Sequence, residues 1–213
     1  MTLPSGTVTF LFTDIEGSTQ LWEQHPEAMK SALAKHDAIL KDAIASNHGY
    51  TIKTTGDGVH AVFEKAIDAV NAAIDAQRAL GQTSEFLKNS EVSVRVRMGL
   101  HTGEAELRDN DYFGQSLNRA QRIMSAGHGG QILISDVTTQ VAREHFAKDI
   151  SLLDMGGHHL KGLLRPEHIF QIVAPELEQK FPPLQSLPTK TNNLPPPLTS
   201  FIGREKEMND ASK

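Results

Sequence analysis

Two aspartates stand where hard-metal chemistry would need them. Asp14 closes a β-branched and aromatic run, residues 7–13, and is followed by Ile15-Glu16-Gly17-Ser18-Thr19. Asp57 lies between Gly56 and Gly58 at the tip of a hairpin pattern. Singly, each has an ordinary explanation, since Asp after a strand caps helices and Asp-Gly makes turns. Together they say more. If the two strands are neighbours, both carboxylates meet at one sheet edge. Paired oxygen ligands are what Mg²⁺ or Mn²⁺ takes, with substrate phosphates filling the remaining positions. Gly17, Ser18 and Thr19 then open a helix, whose free N–H groups and dipole suit a phosphate. Asn118 and Arg122, four residues apart, share one face of a later helix. Leu117, Ala120, Gln121 and Met124 form the adjoining face, so the polar pair need not be buried. On its own that pair would be an ordinary solvated helix face. The histidines, among them His101, His128, His145, His158 and His159, show no metal-ligand spacing and read as scattered side chains.

The elements that must carry these residues alternate. Residues 7–13 read as a buried strand. Pro26 suits a helix first turn, and Met29, Ala32, Leu33, His36, Leu40, Ala43 and Ile44 follow at helical spacing before Asn47-His48-Gly49 stops it. Residues 50–55 and 59–63 read as the two arms of the hairpin. Residues 65–80 predict a second amphipathic helix. Residues 92–101 alternate apolar with polar, which predicts a strand with one buried face. Gly114 opens a third helix that ends near Gly127. Residues 131–134, 151–154 and 168–173 are further strands. Strands, crossover helices and hairpins in this mixture imply an α+β or α/β sandwich on a mixed sheet.

The whole chain, 213 residues at 38% apolar and 22% charged, has room for one domain and a tail. The absence of cysteine excludes disulfides and thiolate nucleophiles and fits a reducing compartment. The net charge of −5, with no Lys/Arg cluster, gives no footprint for nucleic acid. No apolar run is long enough for a membrane span and no signal peptide is read, so the expectation is a cytoplasmic domain. Seven of the ten prolines fall between Pro175 and Pro197. Residues 1–173 therefore read as the folded body, and residues 174–213 as a Pro-rich linker leading into a further module.

Four segments in sequence carry a family resemblance. They are Phe12-Thr13-Asp14-Ile15-Glu16-Gly17-Ser18-Thr19, Lys53-Thr54-Thr55-Gly56-Asp57-Gly58, Asp111-Tyr112-Phe113-Gly114 with Asn118 and Arg122, and Leu160-Lys161-Gly162. In that order, over residues 7–173, they resemble the catalytic domain of the class III nucleotidyl cyclases. The segment Asn192-Asn193-Leu194-Pro195, with Thr199-Ser200-Phe201-Ile202-Gly203-Arg204-Glu205, resembles the junction in bacterial regulators where such a domain precedes an ATPase module.

The resemblance implies a ferredoxin-like, palm-type mixed sheet flanked by helices. It implies that Asp14, Asp57 and the Ile15 carbonyl hold two Mg²⁺ or Mn²⁺ ions per site. It assigns adenine to Lys53 and Asp111, the ribose to Asn118, the α-phosphate to Arg122, and the terminal phosphates to Lys161. Arg119, beside Asn118, is in the wrong register for the α-phosphate role. Because the family divides these residues between two subunits, a C2 homodimer with two shared sites is implied. The activity implied is conversion of ATP to cyclic AMP. Two other readings stay open: a guanylyl cyclase, which Lys53 and Asp111 argue against, and a dimerising nucleotide sensor without turnover. The residues Val59-His60, after the hairpin tip, are less usual for the family.

Overall fold

The computed structural model describes residues 3–86, 92–109 and 111–188. Among the described residues, nine strands form one sheet. In sequence they are β1 (Gly6–Ile15), β2 (Tyr50–Thr55), β3 (Gly58–Phe63), β4 (Val96–Arg108), β5 (Asp111–Phe113), β6 (Ile132–Ser135), β7 (Ser151–His159), β8 (Glu167–Val173) and β9 (Leu187–Pro188). The order across the sheet is β2-β3-β1-β4-β6-β8-β7-β9, with β5 pairing on the far end of β4. Every pairing is antiparallel except β4 with β6.

Five α-helices among the described residues cover the sheet: α1 (Ser18–Gln24), α2 (Pro26–Ser46), α3 (Ala66–Phe86), α4 (Gln115–Ala126) and α5 (Asp136–Ala142). Strand alternation sorts β1 between two cores. Leu11 and Ile15 pack with Met29, Leu40 and Ile44 of α2 and Val70, Ala73 and Ile74 of α3. Val8, Phe10 and Phe12 point the other way, to Ala120 and Met124 of α4 and to Tyr112. The α+β, mixed-sheet architecture expected from the sequence is the one observed.

Several boundaries differ from the sequence reading. The strand expected over residues 92–101 begins at Val96 and continues to Arg108. Its alternation is interrupted because Met98, Gly99, Leu100, His101 and Thr102 are all buried. As a central strand between β1 and β6, with helices on both sides, it has no solvent face there. Helix α3 runs on to Phe86, and α5, β5 and β9 were not foreseen. The third helix lies where expected, between Gly114 and Gly127. Gly99 is what lets it sit there, because a Cβ on Gly99 would overlap the Met124 backbone.

Residues 174–188, read as linker, lie against the body instead. Leu184 is buried with Ile123, Ala126, Leu133, Leu160 and Ile169. The Gln185 N–H donates to the Ala126 carbonyl at 2.8 Å, and Arg95 pairs with Glu178. The junction at residues 192–205 lies outside the described residues.

Candidate active site

The end of β1 and the β2–β3 turn converge. Register pairs Phe12 of β1 with His60 of β3, so continuing the antiparallel ladder brings Asp14 beside Gly58. Side chains lock the junction: the Val59 N–H donates to Thr13 Oγ1 at 3.0 Å. The approach is so close that a Cβ on Gly58 would stand 2.7 Å from the Thr13 carbonyl oxygen. Asp57, at the tip, has no hydrogen bond or ion pair among the described residues. Both Asp14 and Asp57 act electrostatically on His36 of α2. That imidazole is buried, and loss of solvent holds its pKa below the usual histidine value despite the nearby carboxylates. Asp37 takes its Nδ1 at 3.0 Å, while Nε2 has no partner.

Asp14 is itself engaged. Its Oδ2 accepts from Nε and Nη2 of Arg97 at 2.8 and 2.5 Å, with both side chains about three-quarters buried. Arg97 is the cross-strand partner of Asp14 on β4. Among the described residues no group of three or more His, Cys, Asp or Glu side chains forms a metal cage. Two carboxylates and a backbone carbonyl at Ile15 are a partial shell of hard oxygens. That donor set fits Mg²⁺ or Mn²⁺, which commonly take one or two carboxylates and complete their shell with substrate phosphates. Gly17, Ser18 and Thr19 follow directly. Helix α1 has only seven residues, so its dipole is short, but its first-turn N–H groups lack intrahelical acceptors.

A second region lies on the same protomer. A cavity of about 280 Å³ is lined by Phe12, Lys53, His60, Asp111, Asn118 and Gln121, with Ile52, Tyr112, Phe113 and Leu117. Lys53 Nζ donates to Asp111 Oδ2 at 3.2 Å, joining β2 to β5. The Tyr112 N–H and then Lys53 hold the Asp111 carboxyl below the usual aspartate range. A register shift between Thr51 and Lys53 shapes this wall. In a regular strand Ile52 and Lys53 would face opposite ways; the bulge lets both line one cavity.

Asn118 also borders a cleft of about 570 Å³, shared with Gln115, Arg119, Arg122 and residues Gly162, Leu163, Leu164 and Arg165. Arg119 is tied to Glu167 of β8 at 3.2 Å. Glu167 is buried, and loss of solvent raises its pKa although Arg119 opposes the shift. Arg122 has no ion-pair partner among the described residues, so its guanidinium is available to an anion in the cleft. Lys161 is exposed in the turn between β7 and β8, directly before the four residues that line this cleft.

The sequence-selected residues thus fall into two groups. Lys53, Asp111, Asn118 and Arg122 run from one cavity into the next, with Lys161 at the loop beyond. Asp14, Ile15, Asp57 and Gly17, Ser18 and Thr19 cluster at the end of β1. Sequence reading missed Arg97, which alternation alone places only on an outward face. It also missed Gln121 and His60, whose neighbours are set by the bulge and by α4.

Residues 2–173 match the description "Adenylate and Guanylate cyclase catalytic domain". The chain belongs to this class III cyclase family. An uncharacterized protein of Mycobacterium tuberculosis is 40% identical over 209 residues, covering 96% of this chain and 70% of that relative. A Trypanosoma brucei adenylate cyclase, solved in its monomeric state, superposes with a TM-score of 0.70 at 26% identity, covering 86% of this chain and 94% of that one. The guanylate cyclase domain of a Catenaria anguillulae protein, solved with GTP, superposes at 0.65 and 25% identity, covering 79% and 97%. Relatives of both base specificities therefore share the fold. Among the described residues no helix is long and apolar enough to cross a membrane.

Proposed function

We propose that this domain is an adenylate cyclase, a phosphorus–oxygen lyase that turns ATP into 3′,5′-cyclic AMP and pyrophosphate at the interface of a C2 homodimer. The observation that carries this reading is the Lys53–Asp111 pair, 3.2 Å apart in a cavity that also contains Asn118. Adenine offers an acceptor at N1 and a donor at its 6-amino group. A lysine donor beside an aspartate acceptor matches that pattern, whereas guanine presents the reverse. A buried polar group facing the wrong edge costs about 1–3 kcal/mol, enough to discriminate the bases.

In the reaction the ribose 3′-oxygen bonds to the α-phosphorus, its proton passes to solvent, and the bond to the β-phosphate oxygen breaks. Asn118 holds the ribose in line for that attack. Arg122 meets the charge that builds on the α-phosphate. Lys161 and the N–H groups of Gly17, Ser18 and Thr19 hold the outer phosphates. Asp14, Asp57 and the Ile15 carbonyl would hold two divalent ions, which supply Lewis acidity to the attacking hydroxyl and the leaving group. Arg97 fixes the orientation of the Asp14 carboxylate through its Nε and Nη2 donors. The carboxylates belong to one subunit and the base and ribose contacts to its partner, so each dimer has two sites.

The test is direct. Purified protein is incubated with Mn²⁺ and either ATP or GTP, and the products are resolved. Cyclic AMP with pyrophosphate is expected. Product from GTP alone would overturn the base assignment, and no cyclic product from either would leave the sensor reading.

A further inference from the structure

His60 lies in the base cavity but has no part in the reading above. It is the register partner of both Phe12 on β1 and Lys53 on β2. Its ring lies against the Phe12 ring, with centroids 4.0 Å apart and an interplanar angle of 32°. Phe12 is buried, so the imidazole stacks on a packed ring, and cross-strand register puts it on the same face of the sheet as the Lys53 side chain. Lys53 needs such support, because its long side chain is about half exposed and would otherwise sample many rotamers.

We propose that His60, stacked on Phe12 and paired across the strands with Lys53, is a positioning residue that aims the Lys53 ammonium at the purine edge and so sets affinity and the preference for ATP. This rests on the adenylate cyclase reading.

The charged groups facing His60 are Lys53 from β2 and Asp111 from β5; Phe12 of β1 and Asn118 and Gln121 of α4 carry no charge. Burial first, and Lys53 second, hold the imidazole pKa below its ordinary value, with Asp111 opposing. At neutral pH it is uncharged. Protonation would set a second cation beside Lys53 and drive the ammonium from its place.

The experiment measures equilibrium binding of 3′-deoxy-ATP and 3′-deoxy-GTP, which lack the attacking hydroxyl, to the wild-type chain, His60→Ala and His60→Phe. Michaelis constants for ATP are measured alongside. His60→Ala should weaken 3′-deoxy-ATP by about tenfold and narrow the ATP-over-GTP ratio, with kcat falling much less than KM rises. His60→Phe keeps a ring on Phe12 and should recover most of the affinity. Lowering the pH below 6.5 should weaken ATP binding more in the wild type than in His60→Phe, which has no imidazole to protonate. Unchanged affinity and base ratio in His60→Ala, or equal pH profiles in the wild type and His60→Phe, would overturn the proposal. Binding of 3′-deoxy-ATP without turnover of ATP would sink only the cyclase reading. No binding by the wild type would sink the base cavity and the role of His60 with it.

Discussion

At the scale of single residues, the site separates groups that bind from groups that hold the fold. Lys53 and Asp111 are exposed enough that their ion pair adds little stability. Lys53→Ala should therefore leave the melting midpoint nearly unmoved while raising KM for ATP about tenfold, a split readable by thermal denaturation and steady-state kinetics. Equal loss of both would mean that the pair is structural. Arg122 has no ion-pair partner among the described residues, and the proposed function gives it a part in the chemistry. Arg122→Ala should lower kcat on the order of 10²–10³-fold, as removing a charge-stabilising donor does. Arg119→Ala should act on stability instead, because it strips the buried Glu167 of its counter-charge.

At the scale of elements, the geometry of the proposed site depends on how closely α4 rides on β4. Gly99→Ala would push a methyl group into the Met124 backbone and force the helix off the sheet. The expected cost is about 1–3 kcal/mol in denaturant unfolding, with activity falling further because Asn118 and Arg122 move with the helix. A variant as active and stable as the parent would show that α4 can slide without consequence. Residues 174–188 brace the same helix from the other end, since Leu184 packs on Ile123 and Ala126. Leu184→Ala should cost about 2 kcal/mol or more, measured by the same unfolding curve.

At the scale of the whole molecule, two properties follow. The first is stability against acid. His101 is buried, bonded to Ser135, and its pKa is lowered to about 4 by desolvation, with Arg119 adding to it. Below pH 6.5 the unfolded chain takes up a proton there that the folded chain refuses, so stability falls as pH drops from 6.5 towards 4. The loss from this group should be about 2 kcal/mol between pH 7 and 5, and a His101→Gln variant should show a flatter profile in chemical denaturation. The second is the proposed sharing of each site between two subunits. Asp57→Ala and Arg122→Ala should each be inactive alone, and mixing them should restore part of the activity, because one site in each heterodimer is then intact. No recovery on mixing would place both residues in the same subunit's site.

Spacing alone was enough for the class of fold and for locating the carboxylates at the end of β1. Period-two and helical spacing are local properties, and carboxylates flanked by glycines are visible wherever they occur. The family resemblance implied roles for Lys53, Asp111 and Lys161 that spacing does not suggest. What spacing could not supply was anything set by non-local packing. The burial of both faces of β4 depends on its central place in the sheet. The pairing of Arg97 with Asp14 depends on the register between β1 and β4. The entry of His60 into the cavity beside Asp111 depends on its pairing with Lys53 at the β2 bulge. Residues 174–188 read as linker because proline marks extended chain, and only the groove at the end of α4 decided that extended chain would lie against the body. Tertiary structure decides such matters because burial and register are properties of neighbours distant in the chain.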